Sequence, residues 1–143
     1  MAYKVWFEYG ELLSSDSSLK SWLDYVARFG FSLVRGIPPS KEAADLLARR
    51  VAYPRETIFG GMWTLSSEVK AHSDTAYGDG FLGPHTDSTY LKDAPGMMLF
   101  CCVEREGEGG DSLLVDGFAA AEELRRDDPE AFHILSSVPV RAR

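Results

Sequence analysis

The stretch "GPHTDSTY", residues 83–90, places an imidazole and a carboxylate two positions apart, at His85 and Asp87. In an extended segment, residues i and i+2 project to the same side. One ring nitrogen and one carboxylate oxygen can therefore converge on a single ion. Pro84 favours an extended conformation for Gly83 and restrains the approach to the pair. Imidazole with carboxylate is a donor set that suits Fe(II), and two His with one carboxylate leave three cis positions open on such an ion. The tripeptide alone also fits a solvated turn in which Asp87 orients His85. A Ser-His-Asp relay does not fit: His85, Asp87 and Ser88 are too close in sequence, and no nucleophile elbow is present.

The chain has 143 residues, which suggests one domain. Hydrophobic residues make up 45%, enough for a core. The net charge is −7, from 15 basic and 22 acidic residues. That balance argues against a nucleic-acid groove or an anionic membrane surface as partner. No apolar run approaches the ~20 residues of a membrane span. The N-terminus "MAYKVWFEYGELL" has neither a signal-peptide core nor a transit pattern, so the expected location is intracellular, in the cytoplasm or a mitochondrion. Cys101 and Cys102 are adjacent, and neighbours on a strand point to opposite faces. They are expected to be buried, unbridged thiols, and they form no zinc motif.

Working outward from the motif, Ser17 or Ser18 can cap a helix over about 18–29, with Leu19, Trp22, Leu23 and Val26 at helical spacing and Gly30 as its stop. "FSLVRG" reads as a strand. Ser40 caps a second helix, about 41–52, with Ala44, Leu47, Ala48 and Val51 on one face. "GMMLFCCVER" and "DSLLVD" read as two strands of a hairpin joined by "EGEGG". Asp116 caps a helix through "GFAAAEELRR", and Asp128-Pro129 starts another. Helices followed by strands with helical insertions suggest an α+β fold.

"HTDSTY" is followed by "PGMMLFCC", then "GEGGDSLLVDGFAAAEEL", then "PEAFHILSSVPV". This combination resembles the γ-butyrobetaine and trimethyllysine dioxygenases, a carnitine-biosynthesis branch of the taurine-dioxygenase-like Fe(II)/2-oxoglutarate oxygenases. The resemblance starts at "VWFEYGELL" and runs through "FGFSLVRGIP" and "ETIFGGMW" to "SSVPV". "IFGGMW" with "DTAY" leans towards the trimethyllysine enzyme. The resemblance implies a partial double-stranded β-helix (jelly-roll, cupin-like) with N-terminal helices. It implies Fe(II) held by His85 and Asp87, 2-oxoglutarate as cosubstrate and ascorbate as reductant. The substrate class it implies is a trimethylammonium compound, and the complete protein can be a homodimer.

A trimethylammonium group has no N–H to donate, so hydrogen bonds cannot recognise it, but aromatic faces can, at ~0.5–2 kcal/mol per favourable contact. Phe59, Trp63 and Tyr77 fall on the family's cage positions. Phe59 departs from the usual Tyr, which keeps the π face and loses the hydroxyl. Taken without the resemblance, the three also read as ordinary core aromatics. Gly109-Gly110 is expected to turn the chain tightly into the next strand, with Asp111 and Ser112 as turn residues.

The same resemblance places the second histidine ligand and the 2-oxoglutarate arginine beyond Arg143. His72 and His133 are poor substitutes: one sits in a polar stretch, the other in a packing helix. The expectation is therefore an incomplete catalytic domain over 1–143, with an N-terminal helix and strand segment to about 55 and a metal-ligand and hairpin segment from about 56. Taken alone the chain is expected to be inactive. The alternative is a non-catalytic form acting as partner or regulator of a full-length relative.

Overall fold

The computed structural model describes residues 5–57, 59–65 and 81–140. Contacts divide them into two compact units. The residues up to Phe81, with Pro95–Glu108, form the first; Leu82–Ala94, with the residues from Gly109 onward, form the second.

The first unit opens with strand β1, Trp6–Glu8, and a short helix α1, Tyr9–Ser14. Helix α2 follows over Asp16–Phe29, then strand β2 over Leu33–Arg35 and helix α3 over Lys41–Val51. β1 and β2 pair in parallel, with Trp6 opposite Leu33 and Glu8 opposite Arg35. Parallel neighbours cannot be joined by a tight turn. Here α1 and α2 supply the crossover.

Ser15, in extended conformation, caps α2 by accepting the Ser18 N–H at 3.2 Å. The expected cap at Ser17 or Ser18 is thus corrected by two or three residues, since both already lie inside the helix. Gly30 ends α2 at φ 80, where its N–H reaches the Val26 carbonyl at 2.8 Å. Only glycine adopts that left-handed geometry without strain. Ser40 caps α3 as expected, accepting the Ala43 N–H at 3.2 Å.

The apolar faces of these helices meet. Phe7, Leu12, Trp22 and Leu47 form the buried cluster, with Ala43 and Ala44 also buried. Leu19, Leu23, Val26, Val34, Val51 and Leu99 pack around it. Each fully buried large apolar side chain contributes about 1.5–3 kcal/mol of transfer free energy. The Tyr9 hydroxyl donates to the Ala43 carbonyl at 3.2 Å, joining α1 to the start of α3.

In the second unit, helix α4 spans Gly117–Asp127 and helix α5 spans Pro129–Ser137, packed against each other. Both caps match the sequence reading. Asp116 accepts the N–H groups of Phe118 and Ala119, and Asp128 accepts that of Ala131.

The expected hairpin is corrected. Among the described residues, strands occur only at β1 and β2, with an isolated bridge between Thr57 and Gly60. Residues 97–106 and 111–116 belong to no strand. An apolar run becomes a strand only when a neighbour completes its ladder. Neither run has one here, and both leave large side chains in solvent, such as Phe100 and Leu113. The thiol expectation changes for the same reason. Both cysteines are free, but Cys102 is exposed and Cys101 only partly covered, because no sheet face forms to bury them. Gly109 and Gly110 both take left-handed backbone, φ 88 and 71, but the expected turn into a following strand is not formed, since no strand follows among the described residues.

Candidate metal and cation site

The second unit carries the imidazole and carboxylate. His85 Nε2 lies 3.0 Å from Asp87 Oδ1. On its other side the ring is tied to its own chain: Nδ1 stands 2.8 Å from the Gly83 carbonyl oxygen. A carbonyl can only accept, so Nδ1 carries the proton and donates it. The neutral ring then presents its Nε2 lone pair towards Asp87. A lone pair and a carboxylate oxygen are both acceptors. Their close approach is favourable when a proton or a cation lies between them. In keeping with this, the His85 pKa is raised: the hydrogen bond to Gly83 is the largest cause, desolvation opposes it next, and the charge and hydrogen bond of Asp87 raise it further.

The spacing suits a metal. Two donors each about 2.1 Å from one ion, at right angles, lie about 3.0 Å apart. The observed separation equals that of cis ligands. A histidine ligand that donates its other N–H to a carbonyl is also the usual arrangement for fixing tautomer and ring orientation. The residues present therefore fit one edge of an Fe(II) coordination sphere. Among the described residues, no three His, Cys, Asp or Glu side chains converge as a metal site. His133 lies exposed on α5, and His72 lies outside the described residues.

The first unit carries the aromatic pair. Residues 57–60 form a tight turn, with the Thr57 N–H reaching the Gly60 carbonyl at 3.2 Å and the Gly60 N–H returning to Thr57 at 2.9 Å. The Thr57 hydroxyl accepts the Phe59 N–H at 3.1 Å and donates to Gly60 at 3.0 Å. Phe59 thus projects from a turn fixed by four hydrogen bonds. Its ring centroid lies 5.5 Å from that of Trp63, tilted by 31°. Phe59 is 46% exposed and Trp63 43% exposed, so neither is a core aromatic. A pair of partly exposed aromatic rings is the kind of surface a cation requires. Tyr77, the third expected cage residue, lies outside the described residues.

Sequence reasoning named the four side chains and missed what holds them. The Gly83 carbonyl and the Thr57 hydroxyl each act through local geometry. A Gly-Pro before a histidine, and a Thr three residues before a Gly, are the only sequence signals for them.

Comparison with known proteins bears on the chain as a whole. The family model described as taurine catabolism dioxygenase TauD, TfdA family matches residues 4–143. Trimethyllysine dioxygenase, mitochondrial, of Gallus gallus is 42% identical over 129 residues, covering 90% of this chain and 31% of the relative. The Homo sapiens protein of the same name is 41% identical, covering 90% and 30%. The γ-butyrobetaine dioxygenase of Pseudomonas sp. (strain AK-1) is 34% identical over 137 residues, covering 96% and 36%. The chain thus spans about a third of the length of these curated relatives. No solved structure matches significantly.

Proposed function

Because the chain belongs to the taurine catabolism dioxygenase TauD, TfdA family, we propose that it carries part of an Fe(II)- and 2-oxoglutarate-dependent dioxygenase. The proposed fold is the corresponding part of a cupin-like jelly-roll. The proposed substrate is a trimethylammonium compound of carnitine biosynthesis. Trimethyllysine is favoured over γ-butyrobetaine, because the relatives named for it have the higher identity. The observation that carries the reading is the 3.0 Å convergence of His85 Nε2 and Asp87 Oδ1, with Nδ1 already committed to Gly83.

In this reading His85 binds through Nε2 and Asp87 through Oδ1. The Gly83 carbonyl retains the Nδ1 proton, so the ring cannot turn its other nitrogen to the ion. Bound Fe(II) with 2-oxoglutarate would supply hydroxylation of an unactivated C–H bond with O2 as oxidant, and ascorbate would keep the metal reduced. Phe59 and Trp63 hold the quaternary ammonium by their faces and orient the substrate, with Tyr77 as a third wall. The mitochondrial names of the chicken and human relatives support an intracellular place of action. Two donors hold an ion less firmly than three, so the 143 residues by themselves are proposed not to turn over substrate.

Metal binding tests the reading directly. Zn(II), as a redox-silent probe, titrated into the 143-residue chain should shift the His85 ring resonances. His85→Ala and Asp87→Ala should each weaken Zn(II) binding, measured by calorimetry, by roughly tenfold or more. Binding as tight as wild type in both variants would remove the metal assignment.

A further inference from the structure

Resting on the reading of His85 and Asp87 as metal donors, we propose that Ser88 is a positioning residue whose left-handed backbone holds the Asp87 carboxylate in register with the His85 imidazole. Ser88 has φ 57 and is the one non-glycine residue with positive φ among the described residues. An L side chain is disfavoured there, because Cβ approaches the carbonyl oxygen. Such conformations persist where the surroundings impose them, and they collect at functional sites.

The surroundings here are specific. His85 and Asp87 side chains remain 47% and 44% exposed, so side-chain packing does not hold them together. The backbone must do so. On the N-terminal side, Pro84 has a fixed φ and the Gly83 carbonyl takes the imidazole N–H. On the C-terminal side, the Ser88 carbonyl accepts the Leu91 N–H at 3.1 Å, closing a turn over residues 88–91. The Ser88 φ angle sets how the peptide leaving Asp87 meets that turn. With Ser88 in an ordinary region, the same turn would carry Asp87 away from its present direction. The donor pair is thus clamped at both ends by main chain. Serine suits the second clamp: it reaches the left-handed region more readily than a β-branched residue and roams less than glycine.

The test uses the full chain with Zn(II) as probe, its affinity measured by calorimetry in every variant and the His85 ring resonances followed wherever that ring is present. Ser88→Asn, which tolerates the left-handed region, should bind within about twofold of wild type. Ser88→Val should bind roughly tenfold more weakly, with the α4 and α5 amide resonances unmoved. If those helix resonances do move, Ser88→Ala replaces valine in the same comparison and should fall between Asn and Val. Recovery by asparagine separates a backbone role from a hydroxyl role. Valine binding as wild type does, or asparagine as weak as valine, would overturn the proposal. His85→Ala separates the two ideas. If that variant binds Zn(II) undiminished, the metal reading itself fails. If it loses binding while Ser88→Val does not, only the positioning role falls.

Discussion

The indole N–H of Trp22 donates to the Ser32 hydroxyl at 2.6 Å, fastening the buried face of α2 to the segment that leads into β2. Trp22 is 2% exposed and stands at the centre of the first unit's core. Trp22→Ala should destabilise that unit by about 3–5 kcal/mol, through lost burial and a cavity. Ser32→Ala leaves the indole N–H without its partner and should cost about 1–3 kcal/mol. Urea unfolding followed by helical circular dichroism checks both. A Trp22→Ala variant as stable as wild type would show that the core does not depend on Trp22.

Helix caps give a second, independent prediction in the other unit. Asp128 accepts the Ala131 N–H at 2.9 Å. Asp128→Ala should destabilise α5 by about 0.5–2 kcal/mol. Amide exchange in α5 should accelerate, while exchange in α2 stays unchanged.

The raised His85 pKa sets opposite pH trends for stability and for metal. The folded state favours the protonated ring, so its folded pKa exceeds the unfolded value of about 6.5. The resulting stabilisation is fully present below about 6.5 and is lost as pH rises through the folded value. Metal needs Nε2 free of its proton, so Zn(II) affinity should fall as pH drops through that same value, by about tenfold per pH unit below it. NMR titration of the ring should give a midpoint above that of an unstructured histidine peptide. Asp87→Asn should lower it. A midpoint at or below the peptide's would contradict the geometry.

Substrate choice depends on π faces. Trp63→Leu keeps apolar bulk and removes the ring quadrupole. Losing ~1–2 kcal/mol of cation–π attraction should weaken binding of the trimethylammonium substrate by roughly 5–30-fold. A neutral tert-butyl isostere should bind wild type worse than the cation does, and the variant about equally. Calorimetry with both ligands separates a cation box from a plain hydrophobic pocket.

Activity of the chain by itself is a separate matter. With Fe(II), ascorbate, 2-oxoglutarate and trimethyllysine, the purified 143 residues should release no succinate above a protein-free control. Iron-dependent release would show that a complete ligand set assembles from these residues.

Local signals were legible and long-range ones were not. Asp116, Asp128, Ser40 and Gly30 act on backbone groups within a few residues of themselves, so their roles could be read from sequence. The i, i+2 spacing of His85 and Asp87 was legible for the same reason. The strand runs around Phe100 and Leu114 carried the right apolar pattern, yet a pattern cannot state what completes the ladder. Helix α1 escaped notice because its six residues include Gly10 and span too few turns to show a period. The left-handed Ser88 had no signal at all, since serine is unremarkable after an aspartate.

The parallel pairing of β1 and β2 has a consequence for synthesis on the ribosome. A hairpin can close as soon as its second strand emerges beside the first. β1 must instead wait, unpaired, while α1 and α2 are made, and meets its partner only when Leu33–Arg35 has left the exit tunnel. Even then the cluster around Phe7 and Leu12 lacks Leu47, and later Leu99, both of which pack into it. The nascent segment therefore leaves Phe7 and Leu12 without their later partners throughout the period in which the rest of the unit is translated. That interval is when a chaperone could hold the residues that later form this cluster.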